Sequence, residues 1–268
     1  MAEMTDIKAV ILASGTGTRF NDTQPKQFAK LAGLPVLVHT LKVFESSCCI
    51  AGIVVVTPEE FVEQIWRLAD QYGLGKIVKV VVGGATRQES SSIGINCCGP
   101  DTDYVLIHDS VRPFVTHRVI DDLVAAVVEH NAVDTVIPSA DTIVEIDAAG
   151  FISNIPDRSR LRRGQTPQAF SYGLILAAHQ KALADGVYNS TDDCSLVLRQ
   201  GHKVYVVPGD EQNIKITYPL DLHIADKLFQ LKTRSVDDGV DPSLLRGKVF
   251  VILGGTSGIG LKLTEQLL

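Results

Sequence analysis

The sequence predicts an α/β fold in which helices cover both faces of a mostly parallel β-sheet. Short apolar segments alternate along the chain with longer segments of helical periodicity. The apolar segments are hydrophobic almost without interruption, which is typical of strands buried on both faces. Strands and helices that alternate in this way form parallel sheets with crossover helices. The predicted architecture is therefore Rossmann-like.

Six segments are predicted to be strands: Ala9–Leu12, Ile53–Thr57, Ile77–Val82, Tyr104–His108, Asp134–Pro138 and Val204–Val207. The predicted helices are Val36–Glu45, Pro58–Tyr72, Ser90–Asn96, His117–Asn131, Tyr172–Asp185, Thr191–Gln200 and Thr217–Leu231. Pro58 suits the first turn of its helix because no backbone N–H is needed there.

One segment departs from the alternation. Residues Asp141–Pro156 alternate apolar and polar side chains around Ala148-Ala149-Gly150, which predicts a β-hairpin that projects from the sheet. A projecting arm often packs against a partner subunit, so we expect a homodimer formed through residues 141–165. An ordinary surface hairpin fits the pattern equally well.

The chain divides near residue 231. Residues 232–247 are polar and contain Asp241-Pro242, which is typical of a linker. A new strand is predicted at Lys248–Leu253, followed by the glycine-rich segment Gly254–Gly260 and a helix start. We interpret residues 248–268 as the front of a second nucleotide-binding domain, since one strand and one helix do not bury a core. An extra strand–helix unit docked on the first domain is the alternative.

Composition excludes some functions. The net charge is −6, which argues against the basic face of a nucleic-acid binder. Glu3 and Asp6 precede a short apolar run, which does not fit a signal peptide, and no apolar run reaches membrane-spanning length. The five cysteines are scattered and odd in number, which favours free thiols in a reducing cytoplasm.

The loop after the first strand predicts phosphate binding. It runs from Leu12 through Ala13-Ser14-Gly15-Thr16-Gly17-Thr18 to Arg19, and Lys26 follows seven residues later. Small residues let backbone N–H groups approach phosphate oxygens, and the two cations suit the charge of a nucleoside triphosphate. The loop has neither the Gly-Lys-Ser/Thr of a P-loop nor the third glycine of a dinucleotide fingerprint. A plain tight turn is an equally good interpretation of this loop alone.

Two further loops follow strands. Gly83-Gly84-Ala85-Thr86-Arg87 leads to Ser90, and these residues suit contacts to ribose and base or, alternatively, a turn with a serine cap. Asp109 directly follows the fourth predicted strand, at the sheet edge where ligands bind. Mg²⁺ is typically held by one or two carboxylates together with phosphate oxygens, so Asp109 is a candidate magnesium ligand. Arg112 can pair with Asp109, and a purely structural ion pair is the alternative. His108 fits a packed strand residue better than a base.

Cationic residues recur later in the chain. Four arginines, at positions 158, 160, 162 and 163, form the densest cationic cluster, which suits a phosphorylated substrate or a solvated face. Lys215 stands in the apolar segment Asn213–Thr217, where a lysine more often extends its charged end to solvent than acts in chemistry.

Taken in order, these segments resemble the cytidylyltransferases of the methylerythritol-phosphate and ribitol-phosphate type. The resemblance rests on the loop ending at Arg19 with Pro25-Lys26-Gln27, and on five later motifs that span residues 8–230 with it. Those motifs are Gly83-Gly84-x-x-Arg87, His108-Asp109-x-x-Arg112-Pro113, Thr166-Pro167-Gln168, Thr191-Asp192-Asp193 and Asn213-Ile214-Lys215. The implied reaction joins CTP to a polyol phosphate and releases pyrophosphate.

The resemblance also implies roles for individual residues. Arg19 and Lys26 would stabilise charge at the α-phosphate, and Asp109 would bind Mg²⁺ or another divalent cation. CTP would be held by Leu12, Ala13, Ser14, Gly15, Thr16, Gly17, Thr18, Gly83, Gly84, Ala85, Arg87, Ser90 and Ser110. The acceptor phosphate would be positioned by Arg112, Arg158 (reaching across a dimer), Thr191, Asp192 and Lys215. Ser14 and Tyr218 depart from the residues commonest in this family, and Tyr218 removes one expected cationic contact.

Residues 248–268 indicate which acceptor substrate to expect. Gly254–Gly260 resembles the opening turn of short-chain dehydrogenases/reductases, which occur fused to ribitol-phosphate enzymes of capsule synthesis. We therefore expect D-ribitol 5-phosphate as acceptor, with 2-C-methyl-D-erythritol 4-phosphate as the alternative. A non-catalytic nucleotide-binding module is the alternative of another class, although the retained Arg19, Lys26 and Asp109 argue against it. A dehydrogenase is disfavoured because the nicotinamide half is absent from the sequence.

Overall fold

The computed structural model describes residues 5–15, 25–234, 249, 251–252, 256 and 258–267. The strands of the main sheet are β1 (Ile7–Leu12), β4 (Gly52–Thr57), β5 (Ile77–Val82), β6 (Tyr104–Asp109), β7 (Ala132–Pro138), β10 (Arg162–Ser171) and β11 (Tyr205–Pro208). Two short pairs complete the strands, β2 (Lys30–Leu31) with β3 (Leu34–Pro35) and β8 (Glu145–Ile146) with β9 (Ile152–Asn154).

The seven-stranded sheet has the order β11-β7-β10-β6-β1-β4-β5. Its neighbours pair in parallel except at β10, which runs antiparallel to both β6 and β7. The mostly parallel α/β fold predicted from the sequence is confirmed. All six predicted strands are present with small shifts at their ends, and the antiparallel β10 was missed.

Helices follow the strands in chain order. They are α1 (Val36–Ser46), α2 (Val62–Tyr72), α3 (Arg87–Cys98), α4 (His117–His130), α5 (Tyr172–Ala184), α6 (Cys194–Arg199), α7 (Pro219–Arg234) and α8 (Gly258–Leu267). Three predicted helix starts were wrong. The helix predicted from Ser90 begins three residues earlier, at Arg87. Pro58 precedes a separate 3₁₀ turn at Glu59–Phe61, so α2 begins only at Val62. The helix predicted from Thr191 begins at Cys194, because Asp193 and the residues before it form a loop.

Two hydrophobic layers enclose the sheet, and strand β1 contributes alternately to each. Ala9 and Ile11 pack with residues of α1, α2 and α4, whereas Val10 and Leu12 pack with residues of α3, α5 and α6. This alternation explains why β1 is apolar throughout, since both of its faces are buried. The outer strand β5 departs from that expectation, because half of Val78 is exposed.

The predicted hairpin is confirmed as β8 and β9, joined by a turn in which Gly150 has a φ of +89°. Asp147 Oδ1 accepts hydrogen bonds from the backbone N–H groups of Ala149 and Phe151, which closes the turn. The arm (residues 141–165) leaves several apolar side chains exposed: Ile143, Val144, Ile146, Phe151, Ile152 and Ile155. The homodimer expected through it stays a prediction.

The chain separates into two compact units, residues 1–229 and 230–268. Helix α7 continues to Arg234, three residues beyond the predicted helix end at Leu231 and into the predicted linker. In the predicted strand Lys248–Leu253, the described residues Val249, Val251 and Ile252 are not part of a strand, whereas the helix that follows is present as α8. The described helices include none with the length and apolar character needed to cross a membrane.

Candidate active site

A cavity of about 590 Å³ lies at the carboxyl ends of β1, β5 and β6. Ligands bind at this edge in open α/β sheets. Its lining includes the predicted residues Leu12, Ser14, Gly15, Lys26, Gly84, Ala85, Arg87, Ser90, Asp109, Ser110 and Lys215. It also includes Thr86, which belongs to the segment expected to contact ribose and base, and Gln27, Val111 and Thr217, to which the sequence analysis assigned no role. We call this cavity the primary cavity.

The loop after β1 is fixed by its backbone and by one buried amide. The Ala13 N–H donates to the carbonyl of Val56 at 2.7 Å, and the Ala13 carbonyl accepts from Gln27 Nε2 at 2.8 Å. Gln27 is buried and directly follows Lys26. The pair Ala13–Gln27 therefore places Lys26 at the cavity. Thr16, Gly17, Thr18 and Arg19 lie outside the described residues.

The loop after β5 packs directly on the loop after β1. Ser14 Oγ donates to Ser90 Oγ at 2.8 Å, and the Gly84 N–H donates to Ser90 Oγ at 3.1 Å. A Cβ at Gly83 would lie 2.6 Å from the Cβ of Ser14. Gly83 is thus required by the close approach of the two loops, and it lies behind the cavity wall rather than in it.

Helix α3 begins in this loop. Thr86 is its N-cap, with Oγ1 accepting from the Glu89 N–H at 3.1 Å, and Glu89 Oε2 accepts from the Ala85 N–H at 2.7 Å. The sequence analysis placed the cap at Ser90, which was wrong because Ser90 is used to join the two loops. The Thr86–Glu89 spacing is that of a capping box, which could have located the helix start.

Asp109 is the electrostatic centre of the cavity. Its Oδ2 lies 2.9 Å from Lys215 Nζ and 3.5 Å from Arg112 Nε, and its Oδ1 lies 3.9 Å from Arg87 Nε. Burial alone would raise the pKa of Asp109, but the positive charges of Lys215, Arg87 and Arg112 outweigh it and hold the pKa well below the usual range. The carboxylate is therefore ionised at neutral pH.

A lysine in an apolar segment more often extends its charged end to solvent, but Lys215 directs its ammonium group at the candidate site. Its ammonium group pairs with Asp109, and Lys215 lines the primary cavity. Arg112 supports the same carboxylate while its guanidinium donates to the Asn213 carbonyl at 2.8 Å. Arg112 thereby ties the strand end at Asp109 to the segment that carries Lys215.

Arg87 is held by a buried residue that the sequence analysis assigned no role. Its guanidinium donates to Asp193 Oδ2 at 2.8 Å. Asp193 Oδ1 accepts from Ser91 Oγ at 2.7 Å and contacts His179 Nε2 at 2.9 Å. Burial would raise the pKa of Asp193, but Arg87 and the hydrogen bonds lower it to about 2. In the sequence, Asp193 could have been found as the third residue of the motif Thr191-Asp192-Asp193.

His108 is a packed strand residue, as the sequence suggested. Its Nδ1 lies 3.0 Å from Thr166 Oγ1, its Nε2 lies 3.2 Å from the Arg112 carbonyl, and the side chain is fully buried. Burial lowers the pKa of His108 to about 4, so the ring is neutral at pH 7. Thr166 also accepts from the Asp109 N–H at 3.1 Å, so this pair supports the backbone at Asp109.

Four predicted acceptor residues do not line the primary cavity: Arg112, described above, and Arg158, Thr191 and Asp192. Arg158 lines a separate open cavity with Ser159 and Arg162, and its guanidinium donates to the Ala140 carbonyl at 3.1 Å. Thr191 is exposed, and Asp192 Oδ1 accepts from the Ser195 N–H at 3.0 Å. Of the predicted acceptor set, only Lys215 lines the primary cavity, and Arg112 supports it from behind.

The carboxylate of Asp109 fits a magnesium ion whose other ligands are mostly water molecules and substrate oxygen atoms. The described residues contain no group of three or more His, Cys, Asp or Glu side chains arranged to hold a metal. Mg²⁺ is typically bound through one or two carboxylates together with substrate phosphates. Asp109 is an ionised carboxylate at the cavity, so it suits the role of a magnesium ligand. A metal bound there would lie next to the ammonium group of Lys215.

A sequence profile described as 2-C-methyl-D-erythritol 4-phosphate cytidylyltransferase matches residues 7–231, and three of the relatives that resemble this chain are described below. A ribitol-5-phosphate cytidylyltransferase from Lactiplantibacillus plantarum is 40% identical over 233 residues, covering 85% of this chain and 100% of the relative. A 2-C-methyl-D-erythritol 4-phosphate cytidylyltransferase from Clostridium novyi is 40% identical over 223 residues, covering 83% of this chain and 96% of the relative.

The third relative is longer. It is a bifunctional ribulose 5-phosphate reductase/CDP-ribitol pyrophosphorylase from Haemophilus influenzae, 35% identical over 268 residues, and the match covers 96% of this chain. The chain spans 56% of that relative's length. Among solved structures, a 4-diphosphocytidyl-2C-methyl-D-erythritol synthase from Anaerococcus prevotii superposes with a TM-score of 0.75 and 31% identity, over 84% of this chain and 96% of that one.

Proposed function

The chain belongs to the 2-C-methyl-D-erythritol 4-phosphate cytidylyltransferase family, and from that premise we propose that its acceptor is D-ribitol 5-phosphate. The protein is a cytidylyltransferase. In the proposed reaction a phosphate oxygen of ribitol 5-phosphate attacks the α-phosphorus of CTP. The new P–O bond forms as the bond to the β-phosphate bridging oxygen breaks, giving CDP-ribitol and pyrophosphate. Such a product would supply a capsule or teichoic-acid-type polymer.

We choose this acceptor because the match with the bifunctional relative extends further along the chain than the family profile does. The family profile ends at residue 231, whereas that match covers 96% of this chain and so extends into residues 232–268. The relative's name joins CDP-ribitol synthesis to ribulose 5-phosphate reduction. In our proposal, residues 248–268 are the start of a reductase domain, and a reductase that makes ribitol 5-phosphate would supply the acceptor.

The described residues suit this reaction because it needs positioning and charge rather than a base. The acceptor phosphate is already a nucleophile, so no proton has to be removed from it. Lys26 and Lys215 line the primary cavity, where CTP would lie between the loops after β1 and β5. Arg19, outside the described residues, would share with Lys26 the charge that grows at the α-phosphate.

We propose that Mg²⁺ binds at Asp109. A bound Mg²⁺ would neutralise charge on the triphosphate as pyrophosphate departs. Lys215 and Arg112 keep the Asp109 carboxylate ionised and oriented before any metal arrives. Because Lys215 Nζ is the closest cation to Asp109 Oδ2, its ammonium group would turn toward an acceptor phosphate when a metal occupies the carboxylate.

We also propose a homodimer in which Arg158 of one subunit reaches the acceptor site of the other. Within one chain, Arg158 lines a cavity separate from the one that holds Asp109. The arm that carries Arg158 exposes Ile146, Phe151 and Ile152 by more than 60% each. A partner subunit would bury these side chains and bring Arg158 to a phosphorylated acceptor.

The proposal is tested by pyrophosphate release from CTP and Mg²⁺ with each acceptor in separate reactions. Ribitol 5-phosphate should support turnover, and unphosphorylated ribitol should not, since the phosphate oxygen is the nucleophile. Turnover with 2-C-methyl-D-erythritol 4-phosphate alone would refute the proposed acceptor and leave the cytidylyltransferase assignment intact.

The second candidate acceptor, 2-C-methyl-D-erythritol 4-phosphate, is favoured by a specific observation. The Clostridium novyi relative, which is named for that activity, is as similar to this chain as the ribitol-phosphate relative, at 40% identity. Under this alternative the enzyme would serve isoprenoid precursor synthesis, and residues 232–268 would have no part in supplying its acceptor.

A further inference from the structure

Asp193 is a buried carboxylate whose two oxygen atoms have different partners. Its Oδ1 accepts a hydrogen bond from Ser91 Oγ at 2.7 Å and lies 2.9 Å from His179 Nε2. Its Oδ2 accepts a hydrogen bond from the Arg87 guanidinium at 2.8 Å. Ser91 lies on α3 and His179 on α5, so two helices fix Oδ1 and leave Oδ2 to Arg87.

The backbone of Asp193 is fixed as well. Its N–H donates to Gln168 Oε1 at 3.3 Å, and Gln168 belongs to strand β10 of the sheet. The side chain of Asp193 is only 1% exposed, so solvent has little access to these contacts. Two helices and a strand therefore hold the carboxylate in one orientation, which is what the precise placement of a functional side chain requires.

Arg87 connects this buried carboxylate to the primary cavity. Arg87 lines the cavity, whereas Asp193 does not. The other acidic neighbour of Arg87 is Asp109, which lies 3.9 Å from its Nε and is already paired with Lys215 at 2.9 Å. Asp193 is therefore the carboxylate that sets the position of Arg87. An arginine that is fixed before a ligand arrives loses less conformational entropy when the ligand binds, which favours binding.

We infer that Asp193 is a positioning residue for CTP binding and that it acts through Arg87. It holds the guanidinium at the cavity wall, where Arg87 contacts the nucleotide, and itself touches no substrate atom. The inference rests on the proposed placement of CTP between the loops after β1 and β5, but not on which acceptor is used. The loop before α3 suits contacts to ribose and base, which the reaction leaves unchanged. Loss of Asp193 should therefore weaken CTP binding and leave kcat nearly unchanged.

The test is a double-mutant cycle in the intact protein, in which calorimetry measures the Kd of CTP and steady-state assays measure kcat. Asp193→Asn keeps the shape of the side chain and removes its charge. We expect it to weaken CTP binding about tenfold, because a hydrogen bond between two charged groups is weakened. In the Arg87→Met background the same change should alter the Kd by less than about twofold, since the group that Asp193 positions is absent.

A second measurement needs only the Asp193→Asn variant. Nitrogen NMR relaxation of the Arg87 Nε–H group, identified as the signal that Arg87→Lys removes, reports the mobility of the guanidinium. It should be rigid in the wild-type protein without CTP and mobile in Asp193→Asn. Equal rigidity in the two proteins would overturn the inference, even if Arg87→Met did not fold.

Two control variants separate positioning from a general disturbance of the buried cluster. Ser91→Ala removes one hydrogen bond to Asp193 but leaves the ion pair with Arg87. Asp185→Asn makes the same chemical change as Asp193→Asn at the residue after α5, which pairs with Lys181. Both controls should bind CTP nearly as the wild-type protein does.

The outcomes distinguish this inference from the proposed function. Equal losses from Asp193→Asn with and without Arg87, or an equal loss in Ser91→Ala, would overturn the positioning role. Unchanged CTP binding in Arg87→Met would overturn both that role and the proposed contact of Arg87 with CTP. Turnover with 2-C-methyl-D-erythritol 4-phosphate alone would refute only the proposed acceptor.

Discussion

The Nζ of Lys215 lies 2.9 Å from Oδ2 of Asp109, so two residues far apart in the chain form the shortest of the three ion pairs described at Asp109. Asp109 ends β6, and Lys215 belongs to the segment between β11 and α7. Arg112 ties the two segments together through the Asn213 carbonyl. The pair joins the expected metal ligand to a cation expected at the acceptor phosphate.

Replacing Lys215 with methionine should lower kcat/KM by about 10²-fold or more, because a charge that stabilises the transition state is lost. Circular dichroism should show an unchanged fold, since Lys215 is partly exposed. Lys181→Met is the matched control, because Lys181 pairs with Asp185 on an exposed part of α5 and should retain wild-type rates. Near-normal kcat/KM in Lys215→Met would remove this lysine from the reaction.

Gly94→Ala tests how tightly α3, which carries Arg87, packs on the sheet. A Cβ at Gly94 would clash with Val10 Cγ1 and lie 2.8 Å from Val56 Cγ2. We expect a loss of about 1–3 kcal/mol in the free energy of unfolding, measured by urea denaturation, because the core is overpacked.

Gly173→Ala is the control for that substitution, because Gly173 is also helical and a Cβ there meets nothing within 4 Å. Its stability should change by less than about 1 kcal/mol and toward stabilisation, following helix propensity. Equal losses in the two variants would show that helical glycine itself, rather than the contact with Val10, sets the cost.

Buried His108 should make the protein sensitive to mild acid. Burial lowers its pKa to about 4, against 6.5 for the exposed ring, so the unfolded chain binds a proton first as the pH falls. The free energy of unfolding should therefore decrease between pH 6.5 and 4, by up to about 3 kcal/mol from this residue.

His108→Gln provides the comparison, because it keeps a polar side chain but does not titrate. The difference between wild type and variant in denaturation at pH 7 and pH 4 isolates His108. Asp134, whose pKa is raised to about 6 by burial, titrates in both proteins and cancels. Parallel stability curves for the two proteins would contradict the assignment to His108.

Mixing subunits tests whether Arg158 acts across a dimer. Arg158→Ala and Lys26→Ala should each be inactive alone, and a mixture should recover part of the activity, since a mixed dimer contains one site with both residues intact. Mass spectrometry of the intact mixture establishes subunit exchange. Arg199→Ala, which alters an exposed arginine at the end of α6, is the matched control for Arg158→Ala and should be active alone. Confirmed exchange without recovery would favour a site built within one chain.

The sequence predicted the parallel strands well because their apolar composition follows directly from burial on both faces. It missed β10, whose first residues are arginines and which also contains Gly164 and Pro167. Charge, glycine and proline disfavour a strand locally. Only pairing with β6 and β7, distant in sequence, makes this segment a strand.

The candidate site was predicted in the same uneven way. Residues on loops that follow strands, such as Ser14 and Asp109, were located because strand ends share one edge of the sheet. Asp193, in the loop before α6, was missed because its partner Arg87 lies on the distant helix α3, and no local pattern marks that contact. Arg158 lies in a different cavity from Asp109, and the spacing of the motifs along the sequence did not predict this.

The most direct test of the proposed acceptor is a competition in one vessel. Equal concentrations of ribitol 5-phosphate and 2-C-methyl-D-erythritol 4-phosphate compete for limiting CTP, and phosphorus NMR measures the ratio of the two CDP products. That ratio equals the ratio of kcat/KM values, which defines specificity. Our account predicts CDP-ribitol as the dominant product, and a predominance of the CDP-methylerythritol product would contradict it.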